Sequence, residues 1–164
     1  MKDLMTYANK CMELLDNLKI PYGKINQWTI NTRAKKRWGL CEQYIGDRVF
    51  NIEISSRLLA DEVTDVALET TILHELLHSC KGALNHGDTW QYYANKVNRA
   101  YGYNIKRCTS ATEKGIEVVP EEHKYAVECP KCGKVWYYDR LCKIVKTPNR
   151  FFCKKCNEHI VRKF

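Results

Sequence analysis

A chain of 164 residues, 45% hydrophobic and 28% charged, holds enough apolar material for a core and is not a disordered polar tail. No apolar run reaches the roughly 20 residues of a membrane-spanning helix, and MKDLMTYANKCMELL carries acidic and polar residues where a signal peptide needs an apolar stretch. The formal charge of +8 is one-sided. Residues 123–164 hold eleven Lys and Arg against three Asp and Glu, while the rest of the chain has sixteen of each. An intracellular, cytoplasmic protein is expected. Nine cysteines there point to metal ligands or plain thiols rather than disulfides.

Residues 3–18 put Leu4, Ala8, Cys11, Met12, Leu15 and Leu18 on one stripe, predicting an amphipathic helix stopped by Pro21. Residues 25–31, 38–45 and 48–54 read as strands, the last two joined in a hairpin at Gly46-Asp47. Asp61 or Thr64 can cap a helix running to about Cys80, with Lys81 and Gly82 at its end. Its Leu68, Ile72, Leu73, Leu76 and Leu77 spread around the girth, as in a helix central to a core. A further helix over 88–101 has Trp90, Tyr93, Ala94, Val97 and Tyr101 on one face and Gly102 behind it. Residues 109–122 (TSATEKGIEVVPEE) read as a linker. Short β segments around two cysteine pairs follow.

His74-Glu75-Leu76-Leu77-His78 lies on the apolar helix. Two histidines four apart stack one turn above each other and can point at one metal ion, with Glu75 beside them. A catalytic zinc has three protein ligands and an open position. His86 is the third candidate, because Gly82 and Asn85 let the chain turn back. Zinc would acidify a water, and Glu75 as general base would take its proton and pass it to the leaving amine. Core or surface histidines are the bland alternative. Cys80 lies on the other side of the helix and reads as a buried thiol.

Cys129-x-x-Cys132 and Cys153-x-x-Cys156 stand 20 residues apart. Each pair suits a tight knuckle, with Gly133 and Asn157 in the turn beyond it. Four thiolates make a closed, structural zinc site in a module too small for a core of its own. Cys142 reads as a spectator, and His123 and His159 receive no role. The module carries Lys131, Lys134, Lys154 and Lys155 among other cations, interleaved with Trp136, Tyr137, Tyr138, Phe151 and Phe152. Cations neutralise phosphates and aromatics stack on unpaired bases, so nucleic acid is the expected partner. The same aromatics could instead fill the ribbon's core. Metallation leaves the module at about +6. A second basic cluster, Arg33, Lys35, Lys36 and Arg37, sits between strands near the presumed cleft.

H-E-L-L-H followed by N-H-G-D-T-W resembles the SprT-like metalloproteases, which include the Spartan proteases. The stretches N-T-R-A-K-K-R-W-G-L-C (Asn31–Cys41) and F-N-I-E-I-S-S-R-L-L (Phe50–Leu59) are also similar to that family's strand region. The likeness covers most of residues 1–108. It implies an α+β, zincin-like domain at 1–108: an N-terminal helix, a small antiparallel sheet, the H-E-x-x-H helix and a following helix. A linker at 109–122 and a four-cysteine zinc ribbon at 123–164 complete the chain. The spacing to His86 is not that of the metzincins, and no E-x-x-x-D follows for a thermolysin-like glutamate ligand.

The resemblance further implies a zinc endopeptidase that cleaves DNA-associated proteins, as in repair of DNA–protein crosslinks. The DNA, single-stranded or junction-containing, would be held by the ribbon. Two Zn2+ ions per chain, a protein substrate, no membrane and a monomer are expected. In zincin-like folds an edge strand pairs with extended substrate, and residues 48–54 (RVFNIEI) are the candidate. A nucleic-acid-binding ribbon on a non-proteolytic zincin scaffold is the alternative function. An ordinary peptidase whose ribbon binds protein is a third.

Overall fold

In the computed structural model of the chain, the described residues are 1–34, 37–44, 48–110, 112–114 and 123–164. They form two units, Met1–Val118 and Val119–Phe164.

In the first unit, helix α1 spans Leu4–Asn17 and is capped by Asp3, whose carboxylate accepts from the Thr6 amide at 2.8 Å. Leu4, Ala8, Cys11 and Leu15 are its buried stripe, with Met12 and Leu18 packed at the margin. Helix α2, Asp65–His78, starts at Thr64, whose Oγ1 accepts from the Ala67 amide. Leu68, Ile72, Leu73, Leu76 and Leu77 are fully buried. Five such side chains contribute on the order of 10 kcal/mol of gross burial. That fixes α2 at the centre of the core and holds whatever it carries rigidly. Helix α3, Asp88–Tyr101, buries Trp90, Ala94 and Val97 and ends at Gly102 with φ +74°. Tyr101, expected on that buried face, is exposed, and its hydroxyl donates to the Leu14 carbonyl at 3.2 Å.

Strands β1 (Lys24–Asn31), β2 (Gly39–Gln43) and β3 (Val49–Ser55) form one sheet in the order β1-β3-β2. Two expectations are corrected here. The sheet is mixed, not antiparallel: β1 runs parallel to β3, and β2 antiparallel to it. And β3, read as an edge, is central. Phe50, Ile52 and Ile54 alternate inward on it, and both of its edges are paired. Among the described residues, the outer edges of β1 and β2 are unpaired. The turn expected at Gly46-Asp47 lies outside the described residues, although Gln43 pairs with Phe50 beside it.

The second unit has strands β4 (Tyr125–Glu128), β5 (Val135–Tyr138) and β6 (Val161–Arg162) in the order β5-β4-β6, and a single helical turn, α4 (Lys143–Lys146). Its core is Val127, Cys129, Val145, Cys153 and Ile160. So small a cluster needs a further tie between its strands. Among the described residues, no helix is long and apolar enough to cross a membrane.

Candidate metal centres and cleft

Helix α2 places His74 and His78 one turn apart on one face. The chain then reverses. Ser79 closes the helix by donating its hydroxyl to the Leu76 carbonyl at 2.6 Å, and Gly82 takes φ +77°. The Ala83 carbonyl comes back to within 2.9 Å of His78 Nδ1. A carbonyl only accepts, so Nδ1 carries the proton and Nε2 turns its lone pair inward. Asn85 Oδ1 accepts from the Gly87 amide at 3.0 Å, a side-chain turn that sets His86 at the start of α3.

The three Nε2 atoms converge. His74 to His78 is 3.3 Å, His78 to His86 is 3.2 Å, and His74 to His86 is 2.9 Å. A tetrahedral ion with bonds of about 2.0–2.1 Å sets its ligand nitrogens about 3.3 Å apart. The triad therefore fits a zinc-sized cation. Trp90, 2% exposed, floors it, with ring centroids 4.7 Å from His74, 5.6 Å from His78 and 4.7 Å from His86. Burial, then the neighbouring imidazoles, depresses His74 to about 3, and burial also lowers His78 and His86. All three are neutral at pH 7, the form that ligates.

Glu75, next to His74 on α2, lines a cleft of about 230 Å³ together with Trp38, Gly39, Thr71, His74, Arg107 and Lys114. It is 7% exposed. Burial lifts its carboxyl to about 7, and the charges of Lys114 and Arg37 pull it back. Gly39, at the start of β2, is pressed against it: a Cβ there would meet Glu75 Oε1 at 2.5 Å. Lys114, from the stretch read as linker, is itself buried, and its Nζ donates to Thr71 Oγ1 at 2.5 Å.

In the second unit Cys129, Cys132, Cys153 and Cys156 bring their sulfurs within 4.8 Å of one another. Cys132 and Cys153 are 3.7 Å apart, against about 3.8 Å for thiolates on a tetrahedral zinc with bonds of about 2.3 Å. The two pairs are built alike. The Cys129 amide donates to the Lys134 carbonyl and the Cys153 amide to that of Glu158, each five residues on. Gly133 and Asn157 each donate to the carbonyl of the first cysteine and take φ +68° and +51°. The Lys134 backbone brings the Cys132 thiol down to about 7, while Cys156, hydrogen-bonded to Cys132, rises to about 12. Cys142 stays outside this set of four.

Of the basic candidates, Lys134, Lys154 and Lys155 line one cleft of about 520 Å³ with Trp136, Phe151 and Phe152, and Lys134 lies over the Trp136 ring at 5.4 Å. Lys131 is exposed but does not line it. Phe152, exposed, packs at a tilt against His159 with centroids 4.1 Å apart. Arg37 is ion-paired with Glu53. Arg33 is exposed, and Lys35 and Lys36 lie outside the described residues.

Sequence reasoning missed Gly39 and Lys114 and took Trp90 for plain core. A glycine opening a strand is a recognisable signal of close approach. For Lys114, set in a polar stretch, there was none.

Comparison with known proteins agrees with this geometry. Germ cell nuclear acidic protein of Homo sapiens is 28% identical over 144 residues, which cover 80% of this chain and 19% of that protein. The chain thus spans about a fifth of that relative's length. The model of the SprT-like family matches residues 8–109, well over half of the chain and inclusive of both α2 and His86, and the chain belongs to the SprT-like family.

Proposed function

We propose that the protein is a zinc metallopeptidase that hydrolyses peptide bonds in DNA-associated proteins, with DNA bound by the basic ribbon. The observation that carries the first half is the convergence of three neutral Nε2 atoms beside a carboxylate in an open cleft.

His74, His78 and His86 would hold the catalytic zinc, and Cys129, Cys132, Cys153 and Cys156 a structural one. The catalytic zinc would supply Lewis acidity toward a carbonyl and a lowered pKa for water. Glu75, with its carboxyl near 7, is matched to taking a proton from water at neutral pH and returning it to the leaving amine. Gly39 leaves the space this carboxylate occupies. Ala83 and Trp90 hold the imidazoles in register. With β3 central, β2 is the edge beside Glu75 on which an extended substrate can pair.

The DNA half is supported by the ribbon cleft, where three lysines surround three aromatic rings. It makes the non-proteolytic scaffold the second reading. The test incubates zinc-loaded full chain with an unfolded, DNA-binding protein, with and without single-stranded DNA and with a chelator. Chelator-sensitive cleavage is expected. DNA binding that weakens with salt and with Lys154→Ala or Lys155→Ala is expected of the ribbon. DNA binding with no cleavage under any condition favours the scaffold.

A further inference from the structure

We propose that the cleft beside Glu75 is a subsite for an acidic side chain of the substrate, held by Lys114 and Arg107. This rests on the metallopeptidase reading and adds the class of substrate.

Lys114 is 5% exposed. Its ammonium donates to Thr71 Oγ1, whose own hydrogen goes to the Ala67 carbonyl at 2.9 Å. An ammonium has three hydrogens, so two are left for something else. Among the described residues no carboxylate forms an ion pair with it. The charges of Glu75 and Glu113 reach it without a direct ion pair, and it lines the cleft where those two hydrogens can be used. Thr71 is one helical turn before Glu75 on the same face, and the Lys114 and Glu75 charges act on each other.

Arg107 lines the same cleft, is exposed, and has no ion pair among the described residues. The third cation of the lining, Lys106, is already paired with Glu113 at 2.5 Å. Lys114 and Arg107, neither of them ion-paired among the described residues, thus line a cleft whose only acid, among the described residues, is Glu75. At about 230 Å³ the space suits one side chain and falls short of the ~300–1,000 Å³ of drug-sized ligand sites. A peptide carboxylate therefore fits better than a nucleotide, and it sits where the scissile chain must pass.

The test measures kcat/KM of the zinc-loaded full chain on peptides that differ only by Glu, Gln or Lys beside the scissile bond. Glu is expected to exceed Lys by about tenfold or more. Lys114→Met and Arg107→Ala should each bring the Glu-to-Gln ratio toward one, and Arg107→Glu should turn the preference to Lys. Anisotropy of a labelled Glu peptide on Glu75→Gln protein should show the same order in binding. Melting and zinc content check the fold of Lys114→Met, and exposed Arg107 keeps the test open if that variant fails.

Cleavage indifferent to the flanking charge overturns the subsite alone. A uniform fall in kcat on all peptides in Lys114→Met places that lysine on the reaction itself and also overturns it. An oligonucleotide that competes with peptide, and loses that competition in Arg107→Glu, assigns the cleft to DNA. No cleavage and no binding of any peptide overturns the peptidase reading and the subsite with it.

Discussion

Gly39 and Glu75 occupy adjoining space: a methyl group on Gly39 would come within 2.5 Å of Oε1, 2.6 Å of Cγ and 2.8 Å of the carboxyl carbon of Glu75. The edge strand therefore limits where the Glu75 carboxylate can sit. Gly39→Ala should push Glu75 aside and lower kcat/KM by about 100-fold, as misplacements of about 1 Å do. Zinc content should be unchanged. Full activity in this variant would remove β2 from the site.

Trp90 bears on all three histidines, so its loss should cost both fold and metal. Trp90→Ala opens a cavity in the core and should destabilise by about 3–5 kcal/mol. Trp90→Phe should retain the fold and bind zinc more weakly, read by chelator competition. Equal zinc affinity in Trp90→Phe would show that the indole does not hold the rings.

The depressed imidazoles make the metal-free protein acid-sensitive. In the unfolded chain His74 takes a proton near 6.5, in the folded chain only near 3. The stability it contributes is therefore complete above about 6.5 and is lost as pH falls toward 3. His78 and His86 act in the same direction. Glu75, raised to about 7, acts oppositely, but one carboxyl stands against three imidazoles. Chelator-treated protein should melt at a lower temperature at pH 5.5 than at pH 7.5. A higher melting temperature at pH 5.5 would contradict the burial of the triad.

The ribbon's knuckles should fail separately from the histidine centre. Cys129→Ser or Cys153→Ser should reduce zinc from two ions per chain to one and unfold residues 123–164, because metal binding supplies the folding free energy of so small a module. The remaining ion should stay on the histidines. Loss of both ions from either variant would show that the two centres are not independent.

The helices and both metal clusters were legible because their signals are local. A four-residue spacing puts His74 over His78, and Thr64 and Gly102 mark the helix ends where they were expected. Matching Gly133 and Asn157 mark the two knuckle turns. The order of the sheet was not legible. Alternation in Phe50, Ile52 and Ile54 shows that one face is buried, but it does not say whether one edge or both are paired. Lys114 was hidden for a different reason. Burial of a lysine in TSATEKG is decided by tertiary contact with Thr71, 43 residues earlier, and leaves no trace in the local pattern.

Glu75→Gln in the zinc-loaded full chain is the most direct measurement. The amide keeps the shape of the side chain and cannot take a proton. The variant should retain two zinc ions per chain, melt as the parent does, and lose cleavage of an unfolded protein by about 10²–10⁴-fold. Undiminished cleavage by Glu75→Gln protein would contradict a zinc peptidase that uses Glu75 as its base.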